Sequence, residues 1–178
     1  TGVQTCALPI SDEGVLLRER GITMPVVVLN ADADSFDQMI ANRLEPEIYS
    51  FRSLADFADA VSHAGETRYP VHIKLDTGMH RLGFMEGEIG RLCEVLPTLP
   101  AVKVASVFSH LNCADMPGED AYTREQIARY DRMSAAVAAS LPYSVIRHTA
   151  NSAAIERFPE ARFDMCRLGL GLYGFGWE

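Results

Sequence analysis

Lysine is almost missing from this chain. Of 178 residues only Lys74 and Lys103 are lysines, and sixteen basic residues against twenty-four acidic ones give a formal charge of −8. A balance of that sign argues against nucleic acid or an anionic membrane as partner, because both need basic patches. No apolar run approaches the roughly 18 residues of a membrane span. The N-terminus lacks the basic start and apolar core of a signal peptide, so the sequence reads as cytoplasmic. Cys6, Cys93, Cys113 and Cys166 form no CxxC pair; they read as free thiols, and no metal site is expected. There is no GxGxxG loop, which lowers the case for a dinucleotide fold. No serine or cysteine sits in a recognisable nucleophile elbow, which disfavours hydrolase chemistry.

What is present is ordinary globular material, 48% hydrophobic and 22% charged, enough for one sizeable domain. The text TGVQTCALPIS over residues 1–11 fits nothing after it and reads as a non-native leader. The remainder, 12–178, reads as one domain. DEGVLLRERGI predicts a helix stopped by Gly21, and PVVVLN (25–30) a strand buried on both faces. Ser35 with Gln38, Ser53 with Asp56 and Thr123 with Gln126 read as capping boxes opening three helices. Leu54, Phe57, Ala58 and Val61 make the apolar stripe of the second of these. Residues 86–96 read as another helix, and SAAIERF as a short one. Further strands are predicted at 46–51, 71–76, 102–110, 144–150 and 163–169.

Strand and helix thus alternate without interruption, the pattern of a parallel sheet with right-handed crossovers. Six strands fit an α/β fold, either a doubly wound sheet or part of a (β/α)8 TIM-type barrel. Polar residues cluster where strands end, as barrel active sites require. In VHIKLD, Val71, Ile73 and Leu75 share one face and His72, Lys74 and Asp76 the other. A buried row of that kind must pair, and Lys74 with Asp76 is the simplest pairing; a sheet face open to water is the alternative. Arg81 follows just beyond, where an arginine can fork onto an anionic oxygen; a plain surface arginine is the competing reading. His110 closes its strand either as a satisfied core histidine, as a stacking partner for a planar ring, or in an acid–base dyad with Asp115. Asn151 and Ser152 open a helix directly after a strand, a natural phosphate seat. The glycines of RLGLGLYG (167–174) let backbone amides approach the same place.

VHIKLDTGMHRLGF (71–84), SHLNCAD (109–115), ANSAAI (150–155) and FDMCRLGLGLYG (163–174) resemble, in order, the successive motifs of alanine racemases. DEGVLLRERGITMPVVVLN resembles that family's second helix and third strand. EPEIYSF and HIKLDTGMHRLGF are also similar to the racemase half of fused bacterial ligase–racemases. The resemblance implies strands three to eight of a (β/α)8 barrel, without strands one and two and the C-terminal β domain. It implies pyridoxal 5'-phosphate (PLP) as cofactor, alanine as substrate, D-alanine for cell-wall peptidoglycan as purpose, and a homodimer as the intact protein. By motif Arg167 contacts the pyridine nitrogen, and His110 lies against the ring. Arg81 reaches the phenolic oxygen, while Ser152, Gly169 and Leu170 hold the phosphate, with Asn151 behind them. Lys74 matches a lysine that is carbamylated in some members, where the resulting anion orients Arg81.

Two matches are missing. The family's PLP lysine lies on its first strand, and its opposing tyrosine base in the C-terminal domain; no residue between 12 and 174 corresponds to either. Lys103 cannot substitute, since it starts its strand seven residues before His110, about 20 Å away at roughly 3.3 Å per residue. The expectation is therefore a racemase fragment without catalytic residues of its own, inactive alone. A non-catalytic PLP-binding barrel, a ligand-free structural remnant and a PLP-barrel racemase of other specificity are the alternatives.

Overall fold

The computed structural model describes residues 11–176. The expected leader therefore lies, apart from Ser11, outside the described residues. Five parallel strands pair with their neighbours in chain order: β1 Val27–Val28, β2 Glu45–Ile48, β3 Tyr69–Lys74, β4 Val102–Phe108 and β5 Ile146–His148. Helices α1 Ser11–Glu19, α2 Phe36–Ala41, α3 Phe51–His63, α4 Ile89–Val95, α5 Asp120–Ala139 and α6 Ser152–Arg157 fall before and between the strands and after the last. The fold is α/β, as alternation predicts.

Register sorts the strand residues into two faces. His72 is level with Glu47 and Ser106, and Phe108 with Lys74 and His148. Ile73 is level with Ile48 and Val107 on the opposite face. That second face packs under the helices in one cluster with Leu54, Phe57, Val61, Leu92 and Tyr130. The α3 stripe is buried as its spacing predicts, Leu54, Phe57, Ala58 and Val61 all facing the sheet. Phe57 is fully buried, with the rings of Phe36 and Tyr69 edge-on at 5.0 and 5.5 Å.

Several expectations are corrected. No sixth strand forms at 163–169. The segment lies beside β5 with one backbone–backbone bond to it, Asp164 N to Arg147 O, and one just beyond it, Arg167 N to Ala150 O, too sparse for a ladder; Arg147 N turns instead to the Asp164 side chain. Strand 25–30 shortens to two residues, with Val26 and Val28 buried and Val27 only partly so. In α1 the buried residue is Gly14, against Leu44, while Leu16 is exposed. None of the three capping boxes forms as read: one stands at its cap without the bond, and two are misplaced. Ser35 makes no capping bond to α2. Helix α3 begins earlier, capped by Ser50 with Ser53 returning the bond. Helix α5 begins at Asp120, which leaves Thr123 and Gln126 buried within it. A Ser/Thr-x-x-polar spacing also occurs inside helices, where the hydroxyl serves packing.

The turn after β3 is strapped from both sides. Asp76 Oδ1 accepts from the amides of Gly78 (2.9 Å) and His80 (3.0 Å). Burial works against the charge of Asp76, but these amides and His80 outweigh it and hold the carboxyl below its usual range. Asp76 is thus committed to its own turn and does not pair with Lys74. At Gly83 (φ +132°) a Cβ would lie 2.6 Å from the Asp76 nitrogen, so only glycine closes this turn. From helix α5, Tyr122 donates to Gly78 O and Arg129 to Thr77 O.

Candidate functional site

At the C-terminal ends of the strands lies a cleft of about 360 Å³. Lys74, Arg81, His110, Asn151, Ser152, Arg167, Gly169 and Leu170 all line it, together with Leu29, Phe108, Asn112, Asp115 and Leu168. Residues drawn from β3, the 76–84 turn, the end of β4, the start of α6 and the 167–170 loop therefore converge on one space.

Arg167 is the best-anchored group. Its guanidinium donates to Ser109 O (2.6 Å), to Thr149 O (3.3 Å), to His148 Nδ1 (2.8 Å) and to His110 Nδ1 (3.3 Å). Arginine has no acceptor atom, so both histidines must offer Nδ1 as a lone pair. Burial, then the charges of Arg167, Lys74 and Arg81, pushes the His110 pKa down to about 4. Burial and Arg167 likewise push His148 well below its usual value. Both rings are neutral at pH 7. The His110–Asp115 dyad is not formed: the ring is bonded to Arg167, and Asp115 is exposed at the rim.

His148 continues inward. Its Nε2 lies 3.0 Å from Ser106 Oγ, which is 2.7 Å from His72 Nδ1, and His72 Nε2 is 2.7 Å from Glu45 Oε2. Because Arg167 can only donate, His148 accepts at Nδ1 and, being neutral, donates from Nε2 to Ser106; the Ser106 hydroxyl bridges on to His72, whose Nε2 donates to the Glu45 carboxylate. Phe108 stacks on His148 with ring planes 2° apart, which fixes the imidazole plane.

Asn151 and Ser152 have local work. Asn151 caps α6 by accepting from Ala154 N (3.0 Å) and donates to Leu111 O (3.0 Å), tying α6 to the segment after β4. Ser152 Oγ accepts from Gly169 N (2.9 Å) and Gly171 N (3.1 Å), folding that loop over the start of α6. A Cβ at Gly171 would meet Leu168 Cδ1 at 2.9 Å and Ser152 at 3.4 Å, so the loop is drawn in to the limit of contact.

Lys74 is buried against Glu47, Nζ to Oε1 2.6 Å, with the two side chains 5% and 1% exposed. Sequence reading missed this partner, along with His148 and Ser106. Its signal was available: Glu45 and Glu47 alternate on β2 at the spacing that His72 and Lys74 repeat on β3. Arg81 reaches the cleft from an exposed position. Lys103, on the second residue of β4, has Nζ 5.5 Å from the Tyr143 ring centroid and does not line the cleft. Cys93, Cys113 and Cys166 are free thiols. No helix among the described residues is long and apolar enough to cross a membrane.

Comparison with known proteins gives the same answer by three routes. The family model for the alanine racemase N-terminal domain matches residues 1–176. The alanine racemase of Symbiobacterium thermophilum is 38% identical over 167 residues, covering 92% of this chain and 43% of its own length. The alanine racemase structure from Clostridium difficile 630 superposes with a TM-score of 0.86 at 31% identity, covering 95% of this chain and 44% of that one. An alanine racemase from Bartonella henselae with covalently bound pyridoxal phosphate shares the fold, with a TM-score of 0.77 at 23% identity, over 92% of this chain and 46% of that one. The chain thus spans less than half the length of these relatives. By model, sequence and fold together, it belongs to the alanine racemase family and matches that family's N-terminal domain.

Proposed function

We propose that this chain is the cofactor-binding part of a (β/α)8 alanine racemase barrel, its five strands standing as the third to the seventh and the segment 163–169 in the place of the eighth. In this reading the cleft takes PLP. The observation that carries it is the cleft's donor set: a fixed arginine bonded to two neutral histidines, with Lys74 and Arg81 adding positive charge around a space open to a planar, anionic ligand. When bound, PLP supplies an electron-withdrawing ring that makes the α-proton of an attached amino acid acidic. The protein's residues would set how it does so. Arg167 is a permanent cation that can only donate, so it would hold the pyridine nitrogen as an acceptor and keep protons from it, weakening the ring's pull on electrons. His110, neutral and buried, would support the ring. Arg81 would hold the phenolic oxygen, and Ser152, Gly169 and Leu170 the phosphate, with Asn151 anchoring the start of α6.

Neither lysine is placed to bond the cofactor, since Lys74 is committed to Glu47 and Lys103 stands away from the cleft. This chain by itself is therefore a non-covalent PLP holder. Racemisation of alanine for peptidoglycan, in a cytoplasmic homodimer, requires a lysine and a second base that are not among its residues 12–174. The same observation favours the alternative of a barrel that binds PLP without catalysis. The test is to titrate the chain with PLP, following cofactor absorbance and retention on ultrafiltration, and to assay D-alanine from L-alanine. Saturable binding, weakened at least tenfold by Arg167→Ala, with turnover no faster than free PLP, is expected. Binding indifferent to Arg167→Ala would end the assignment of the cleft. Turnover well above the free cofactor would show that the catalytic groups lie within the chain.

A further inference from the structure

A second cavity, of about 270 Å³, opens at the other end of the sheet, where β1, β2 and β3 begin. Its walls carry Arg43 and Glu45 at the entry to β2, and Glu66 and Arg68 at the entry to β3. Two charges of each sign thus face one small space, yet among the described residues no ion pair joins these arginines to these glutamates. The side chains of Arg43 and Glu66 make no hydrogen bond, and that of Arg68 only rests over the Tyr143 ring, 5.7 Å from its centroid. Glu45 is fixed through one oxygen, 2.7 Å from His72 Nε2, and its other oxygen has no hydrogen bond.

Both arginines occupy backbone that suits glycine, Arg43 at φ 50° and Arg68 at φ 54°. Arg43 follows the cap of α2: its amide donates to Ile40 O and that of Leu44 to Met39 O, a helix ending that usually places glycine there. Left-handed backbone costs an arginine, and costs of this kind gather at ligand sites. The wall is also braced. Arg18 donates to the carbonyls of Ile22, Met24, Asn42 and Arg43, which spends its own donors and keeps the two loops apart.

We propose that this cavity binds a small zwitterion, a molecule carrying a carboxylate and an ammonium a few atoms apart, as a free α-amino acid does. Arg43 and Arg68 take the carboxylate, which guanidinium forks match. Glu66 and the unbonded oxygen of Glu45 take the ammonium. The same four charges select against simpler ions: the glutamates repel a plain anion and the arginines a plain cation. The volume lies just below the roughly 300–1,000 Å³ of ordinary ligand pockets, which limits the ligand to a small one. The cavity stands at the opposite end of the strands from the cleft, and the proposal does not rest on PLP.

The test titrates the full chain with free glycine, acetate and methylammonium while amide NMR shifts are followed. Free glycine is expected to bind saturably and to shift the amides of residues 66–68. Its affinity should be in the millimolar range, because exposed ion pairs contribute little each. Acetate and methylammonium, each one half of it, are expected to bind about tenfold more weakly. Arg43→Gly and Arg68→Gly relieve the left-handed backbone, so each is expected to raise the thermal midpoint while weakening the ligand about fivefold. Glu66→Gln is expected to weaken it by a similar factor without moving the midpoint. No saturable binding of free glycine overturns the proposal, as do shifts confined to the cleft. So does either half-ligand binding as tightly as the whole, or binding that survives all three substitutions.

Discussion

The two faces of β3 are made by alternate residues of one six-residue strand, and they obey different rules. Val71 and Ile73 are fully buried among helix side chains, where any apolar group of the right volume serves. His72 and Lys74 are almost as deeply buried, yet each is satisfied by one particular partner, Glu45 with Ser106 and Glu47 respectively. The helix face contributes stability in proportion to the area it hides. The polar face contributes little net stability, because desolvation offsets most of the attraction, and contributes position and charge instead. Burial alone does not distinguish them; partner identity does.

The comparison breaks most visibly at Phe57. Phe57→Ala removes a fully buried ring with two edge-on neighbours, and should lower unfolding free energy by about 4–5 kcal/mol in urea titrations. A loss near that of a surface change would mean the helix face is not the stabilising one. Next in size is Glu47→Ala, which strands a buried cation and should cost about 3 kcal/mol, whereas Glu47→Leu combined with Lys74→Met should recover most of it. If the double replacement is as damaging as the single, the pair is a source of stability in its own right.

Acid should act on the polar face. His110 has a folded pKa near 4 against about 6.5 unfolded. As pH falls through that interval the unfolded chain takes up a proton that the folded one refuses. Stability contributed by the neutral ring is thus complete above about pH 6.5 and drains toward pH 4, by on the order of 2–3 kcal/mol. His148 works in the same direction. Thermal midpoints recorded at steps across this window should fall, and fall less in His110→Gln, which keeps an acceptor for Arg167. Ser106→Ala should follow at about 1–2 kcal/mol, because two imidazole nitrogens lose their shared partner; its larger effect should be weakened PLP retention. Smallest is Leu16→Glu, an exposed position on α1 that should stay within about 0.5 kcal/mol.

The helix face was legible in the sequence because its rule is spacing. Leu54, Phe57, Ala58 and Val61 announce α3, and alternation in VHIKLD separates Val71 and Ile73 from His72 and Lys74. The cleft residues were legible through motif order and strand-end position, and the structure gathers all eight. Pairing was legible only as matching alternation on β2 and β3, without the register that decides it. Asp76 is nearer to Lys74 in sequence than Glu47, but the amides of Gly78 and His80 claim it. Glu47 was not singled out, because which strand residues meet depends on register, which local text does not carry. The segment 163–169 reads like a strand, yet it makes one backbone–backbone bond to β5 and one to Ala150 beyond it.

The line from Arg167 to Glu45 crosses four strands, β2 to β5, and one end of it has a fixed sense of direction. Arg167 has no acceptor atom, so His148 must accept at Nδ1 and present its proton on Nε2 to Ser106. An accepting residue placed at 167, such as glutamate, would move that proton to Nδ1 and turn Nε2 from a donor into an acceptor. Ser106, whose hydroxyl can both donate and accept, is where such a reversal would be absorbed, so the residue chosen at 167 writes the tautomer of a ring on β5 and the rotamer of a hydroxyl on β4.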